Sequence, residues 1–435
     1  MTNGLVGHSI YGGGKGKGTY TRKLKRIVGG AEYDADTYSI HSGKVYGNTS
    51  VTMADGLVLR NIYGGGNMGS VGKGNYSGGA DDYSTSGYGE TLTGNLWDGE
   101  SVDSKAFLES GKTSVSVTGG TVGYIDSDHP EASYKDGLPY GNIFGGCRGE
   151  AAPVVPETDE TPRYLTCPAF FSGYVNETDV NIGKESDGTG PTILGTVYGG
   201  GEDGHVRRNS HVKVYGGTIG LDFTEANQPR VGSTDINAPG WLYRGNVYGA
   251  GSGIGEYAFD FDGDGNTDDV VTIGGLNYSE TGYSSASGSV THFTRVDILG
   301  GTVYRNVAGG GSLASVGPPK ITQPDYAAMI AATDYSNPSV WGTRSLNLVN
   351  IGGLKPTEDG PFRTVNIGSA AGVAAGYGGN VFGGSRGEPS VGSGYASSIW
   401  TLVNVGHGSV IQGNVFGGGN AGEVLKDTKV VVGEE

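Results

Sequence analysis

A short phrase, aliphatic-aromatic-Gly-Gly-Gly with close variants, recurs along the whole chain and constrains its fold more than any other feature. It stands as Ile10-Tyr11-Gly12-Gly13-Gly14, Ile62-Tyr63-Gly64-Gly65-Gly66, Ile143-Phe144-Gly145-Gly146-Cys147 and Val197-Tyr198-Gly199-Gly200-Gly201. It returns as Val247-Tyr248-Gly249-Ala250-Gly251, Val307-Ala308-Gly309-Gly310-Gly311, Val381-Phe382-Gly383-Gly384-Ser385 and Val415-Phe416-Gly417-Gly418-Gly419. Copies spread this evenly make the chain one repeat body, 1–435, rather than the two or three domains its length would otherwise suggest.

A second phrase alternates with the first. Thr-x-Val-x-Ile/Val, closed by Gly, is read at ten places, beginning near Ser50, Ser114, Thr178, Ser210, Asp269, Thr294, Ser345, Arg363, Leu402 and Thr428. Valine and isoleucine on one face with threonine, asparagine, lysine or aspartate on the other is the pattern of a half-buried strand. At the C-terminal end Val403-Asn404-Val405 recurs as Val430-Val431-Val432 after 27 residues, the size of a coil holding two or three short strands. The expected fold is therefore all-β: a parallel β-helix (β-solenoid), right-handed as parallel crossovers are, with about ten or more coils. Residues 73-110, 148-175, 221-242 and 317-345 lack the repeat and read as loop insertions. The glycines after the aromatic read as corner residues, where φ > 0 costs only glycine nothing.

Glycine supplies 86 of 435 residues, but without a triplet register, so collagen is excluded. The net charge is −16 and uneven: Lys15, Lys17, Arg22, Lys23, Lys25 and Arg26 precede the first acid, leaving 23 basic against 45 acidic residues afterwards. Such a body repels phosphate backbones, so no nucleic acid is expected as a partner. No apolar run is long enough to span a membrane, and no secretion signal is visible, which reads as a segment of a longer chain or as export by signals absent here.

Candidate sites follow from local chemistry. Alternating carboxylates at Asp260, Asp262, Asp264, Asn266, Asp268 and Asp269, with Gly265 for the turn, suit a calcium ion (Ca2+) held as a loop staple. Val271 stands where an EF-hand needs glutamate, and the alternative is a merely acidic turn. Because the aliphatic residue of the glycine phrase points inward, pleating sends its aromatic neighbour outward. Tyr11, Tyr63, Tyr198, Tyr248, Phe382 and Phe416, with Phe144, would then form a stripe able to stack on sugar rings, unless neighbouring loops cover it, which is the simpler reading. Asn61, Asn142, Asn246, Asn306, Asn380 and Asn414 precede the aliphatic position and suit coil-to-coil hydrogen bonding. Cys147 and Cys167 flank a Pro-rich insertion and read either as a disulfide or as separate buried thiols.

Catalysis finds little support, and the chain is read as a non-enzyme. His205 and His211 lie near Glu202 and Asp203 at no zinc spacing and read as solvated polar residues. Paired acids such as Asp126 with Asp128, or Asp81 with Asp82, arise readily in acidic loops.

With Gly-Asn-Val-Phe-Gly-Gly-Gly-Asn-Ala-Gly-Glu-Val at 413–424 alternating with Thr-x-Val-x-Ile strands, the chain resembles the glycine-rich, adhesin-like β-helical surface repeat proteins of gut Bacteroidetes-type bacteria. The resemblance implies an extracellular or bacterial cell-surface location and a structural or adhesive role, and transfers no functional residue. The expected partners are further repeats or copies of itself, stacked head to tail into filaments with the basic head against Glu434 and Glu435, and surface glycans. The rival expectation is a carbohydrate-binding or carbohydrate-cleaving β-helix, such as a phage tail spike or a polysaccharide lyase.

Overall fold

The structure, a computed structural model, describes residues 3–16, 42–72, 110–124, 138–151, 173–222, 244–258, 260, 265–273, 276–284, 287–317, 345–391 and 393–433. It also describes the strand backbones at 20–28, 31–37, 76–77, 91–92 and 134–135. The expected insertions fall largely outside these residues, as do Cys167, Asp81, Asp82, Asp126 and Asp128.

Three parallel sheets of eight strands each wrap one core, so the described residues form a parallel β-solenoid of eight coils. Each coil contributes a short strand to a first face (Leu5–Val6 through Ser409–Ile411), a two-residue strand to an aromatic face (Ile10–Tyr11 through Val415–Phe416), and a long strand to a third face (Thr49–Met53 through Thr428–Val432). Every rung stays in register with the next: Val115 faces Val51 on one side and Val180 on the other.

Eight coils, rather than ten or more, follow from where two of the ten alternating segments go. The segment at Asp269 does not join the long-strand face: Val270–Ile273 pairs antiparallel with Leu276–Ser279 in an inserted hairpin. The segment at Arg363 yields Val365–Ile367, which belongs to the first face of the coil whose long strand is Trp400–Val405. Alternation marks a half-buried strand, but it does not say to which sheet the strand belongs.

The core is a stack of β-branched side chains. Val115 and Val117 of the long face, Val122 of the first face and Ile143 of the aromatic face are all fully buried, and their counterparts repeat rung by rung. Val, Ile and Thr suit this pleated, half-buried surface. A second, smaller core lies beyond the glycines and contains Val71, Cys147, Val175, Val206, Ala250 and Val290.

The two sequence phrases interlock. In several long strands an inward hydroxyl near the start of the strand donates to the carbonyl of the first glycine in the following coil: Thr113 Oγ1 to Gly145 O at 2.6 Å, Ser210 Oγ to Gly249 O at 2.7 Å, Thr294 Oγ1 to Gly309 O at 2.7 Å. A carbonyl at this depth needs a partner, and the threonine of the strand phrase supplies it.

The glycines themselves serve a different purpose from the one expected. None of Gly64, Gly145, Gly199, Gly249, Gly309 and Gly383 has positive φ. A Cβ on Gly145 would instead fall on the carbonyl oxygen of Gly199 one coil on, well inside contact distance. The backbones approach so closely there that no side chain fits. Positive φ is found at other corners, such as Gly56, Gly120 and Gly217 (φ 101°, 80° and 91°), each just before a first-face strand.

The basic head lies on a backbone hairpin. Tyr20–Val28 and Ala31–Thr37 form an antiparallel hairpin whose register sets Lys23 opposite Asp36 and Lys25 opposite Asp34. Glu434 and Glu435 lie outside the described residues.

Candidate functional site

The aromatic of each glycine phrase does point away from the main core, but it does not form an open platform. Successive rings stack face to face: Tyr11 on Tyr63 at 4.7 Å, Tyr63 on Phe144 at 5.0 Å, Phe144 on Tyr198 at 4.7 Å and Tyr198 on Tyr248 at 5.2 Å, all within 12° of parallel. In-register parallel strands put identical positions about 4.8 Å apart, close to the separation of stacked rings, so a ladder follows from the repeat itself. Tyr63, Phe144, Tyr198 and Tyr248 are buried in it. The covering that the simpler reading assigned to loops is supplied, over the ring faces, by the neighbouring rings. Ala308 interrupts the ladder, and Phe382 and Phe416 resume it at 5.0 Å. The six aromatic candidates are thus brought into one column, with their faces unavailable for sugar stacking inside it.

What the column does offer is its edge. Asparagines preceding several of these strands brace the next coil: Asn61 Oδ1 accepts from Asn142 N at 3.0 Å, Asn306 Oδ1 from Asn380 N at 3.0 Å, and Asn380 Oδ1 from Asn414 N at 2.9 Å. Asn61 Nδ2 also donates to the Tyr63 hydroxyl at 3.0 Å. That hydroxyl donates in turn to Glu202, and the Arg148 guanidinium lies 3.8 Å from the same carboxylate. Burial, and next the charge of Glu202, hold the Tyr63 phenol well above its ordinary range.

Arg148, Glu202 and Asp203 come from the residues just after the glycines. Isolated bridges tie these positions from coil to coil, Arg148 to Asp203 and Glu202 to Ser252, continuing through Ser312 and Arg386. In this row Asp203, Leu313 and Ala421 hold the left-handed conformation, with φ of 53°, 48° and 57°. Aspartate tolerates it better than most residues. The Asp203 carboxylate accepts from Gly255 N at 3.2 Å, and its pKa is pushed up to about 7, first by burial and then by the charge of Glu202.

Between this row and the column edge lies a cavity of about 660 Å³. Tyr11, Tyr63 and Tyr198 line it, together with Arg60, Arg148 and the two acids Glu202 and Asp203; Tyr248, Phe382 and Phe416 do not. Sequence reasoning placed Glu202 and Asp203 among solvated polar residues and missed Arg60 and Arg148. The signal was present in the phrase Gly-Gly-Gly-Glu-Asp-Gly at 199–204, where a charged pair replaces the Asn-Met of Gly-Gly-Gly-Asn-Met-Gly at 64–69. His205, expected in solvent, is buried against Tyr174, and His211 Nε2 pairs with Asp297 at 2.7 Å on the outer long-strand face.

The calcium candidates sit elsewhere, on the insertion of the fifth coil between Glu256–Ala258 and Val270–Ile273. Gly265 N donates to the Asp260 carboxylate at 3.1 Å and Asp269 N to Glu280 at 3.2 Å, which closes a turn. Asn266, Asp268 and Asp269 are exposed; Asp262 and Asp264 lie outside the described residues. Among the described residues no three acids, histidines or cysteines gather closely enough to hold a metal. Of the expected cysteine pair, Cys147 is a free buried thiol whose Sγ accepts from Gly66 N at 3.2 Å, with its pKa pushed up to about 12 by burial; Cys167 lies outside the described residues.

No helix among the described residues is long and apolar enough to cross a membrane. Comparison with protein-family models, with curated proteins and with solved structures finds no match to this chain.

Proposed function

We propose that this chain is a structural or adhesive β-solenoid, working outside a bacterial cell, whose end coil associates with a further coil of the same design. One observation supports the reading above the others. In the eighth coil Phe416 stacks one face on Phe382 and is 44% exposed, whereas Phe382 is 7% exposed. Val430 and Val432, 41% and 73% exposed, stand in register with Val403 and Val405, and through them with the buried Val349 and Ile351. Positions closed by a neighbour inside the body are open at this end, and so are the strand edges beside them.

The occupant proposed here is a further coil of the same design, from a second copy of this chain or from repeats that continue it, and the role is non-catalytic. Sedimentation velocity over a concentration series tests it: the parent chain should form larger species as concentration rises, and Phe416→Glu, placing a charge in the open stack, should remain a monomer. A parent that sediments as a monomer throughout contradicts the reading. The extracellular placement rests on the resemblance to surface repeat proteins, and calcium on the Asp260–Asp269 loop is part of the same proposal. Added calcium should raise the melting temperature of the parent and leave that of Asp262→Asn with Asp264→Asn unchanged.

A further inference from the structure

The cavity beside the aromatic column lies on the flank of the solenoid and draws charged residues together from several coils. Its residues come from successive coils: Tyr11 from the first, Arg60 and Tyr63 from the second, Arg148 from the third, Glu202 and Asp203 from the fourth. At about 4.8 Å per coil these positions extend roughly 15 Å along the solenoid axis. The volume of about 660 Å³ falls within the range of small-molecule sites.

Three properties narrow the ligand. The faces of Tyr63 and Tyr198 are consumed by the ladder, so these two offer edges and hydroxyls rather than a stacking surface. Arg148 and Glu202 place a forked donor beside an acceptor, 3.8 Å apart. That pair matches a vicinal diol, in which one hydroxyl accepts from the guanidinium while its neighbour donates to the carboxylate. Lastly, Glu202 and Glu256 match Arg60 and Arg148 on the walls and Asp203 adds a further acid, so the cavity carries no excess of positive charge to favour an anion. A metal is a poor fit as well, since no three ligating residues converge among those described.

We infer that this cavity is a binding site for a neutral saccharide lying along the solenoid axis, with Arg148, Glu202 and Asp203 recognising its vicinal hydroxyls and the Tyr11 hydroxyl and Arg60 bounding the far end. The site binds without turnover. Asp203 is the residue whose backbone is already committed: it holds the left-handed conformation that Leu313 and Ala421 hold at matching positions, so an alanine there keeps the same backbone. The raised pKa of Asp203 agrees with a carboxyl that is partly protonated near neutrality and can both donate to and accept from a hydroxyl.

The test is ligand-observed NMR on the intact chain with the methyl glycosides of glucose, galactose, mannose and xylose, and with methyl glucuronide as the acidic contrast. At least one neutral glycoside should bind saturably in the millimolar range. Arg148→Met and Asp203→Ala should each weaken it about tenfold or more, which corresponds to about 1.4 kcal/mol. Lys213→Met, on the outer long-strand face where Lys213 pairs with Asp179, should leave binding intact. Circular dichroism and melting temperature identify any variant that fails to fold, and Asp203→Ala is the variant least exposed to that failure. Absence of saturable binding by all four neutral glycosides, glucuronide binding as tightly as they do, survival of binding in both site variants, or cleavage of the glycoside would each overturn the inference.

Discussion

At the residue scale, the inward hydroxyls near the start of several long strands explain why the two sequence phrases travel together. Thr113→Val keeps the shape and the β-branching but leaves the buried Gly145 carbonyl without its hydroxyl donor. Its cost should be about 1–3 kcal/mol in denaturant unfolding, with Thr113→Ser close to the parent; a neutral valine would show that the carbonyl finds another partner. Asp203 makes a pH-dependent prediction. Its folded carboxyl titrates at about 7, raised by burial first and Glu202 second, with Glu150 adding to the rise and Gly255 N and Arg148 opposing it; Glu256 also lines the cavity. The unfolded carboxyl titrates near about 4. Between those values the folded chain holds a proton that the unfolded chain has released, so Asp203 makes stability fall as pH rises through the window and stay level above it. Asp203→Asn carries no such loss. It should melt above the parent at about pH 8, by at most on the order of 4 kcal/mol, and its lead should disappear at about pH 4; a lead independent of pH contradicts this assignment.

At the element scale, the aromatic column makes residues distant in sequence depend on one another. Phe144 is sandwiched between Tyr63 and Tyr198, while Phe416 has a ring on one side only. Phe144→Ala should therefore cost about 3–5 kcal/mol and Phe416→Ala about 1 kcal/mol or less in a monomeric preparation, both read from thermal unfolding. Equal costs would mean that the rings contribute only as separate side chains. The column also explains which parts of the fold could be read from the sequence. That Ile143 points inward and Phe144 away is a local property of a pleated strand, and period-2 alternation carries it. That Phe144 is nonetheless buried depends on rings 81 residues before it and 54 after it, and no local pattern encodes that. The glycines repeat the lesson: a chain viewed locally suggests φ > 0, whereas Gly145 is glycine because the Gly199 carbonyl of another coil occupies the space. The site was legible only in part for the same reason. Tyr11, Tyr63 and Tyr198 were identifiable as a stripe, but Arg148 and Glu202 meet only once the third and fourth coils are stacked.

At the scale of the whole molecule, eight rungs in continuous register form a body that each new coil can extend without changing its design. The hydroxyl-to-glycine bond, the asparagine brace and the ring stack all run between coils rather than within one, so an end coil lacks one side of each. Phe416, Val430 and Val432 are where that deficit is visible. On the function proposed above, a further coil of the same design, from a second copy of the chain or from repeats that continue it, makes good this deficit. Electron microscopy of the purified chain at high concentration tests it most directly. The account predicts rods that lengthen with concentration and carry an axial repeat of about 38 Å, eight rungs at about 4.8 Å each. Uniform single particles, one solenoid long at every concentration, would contradict it.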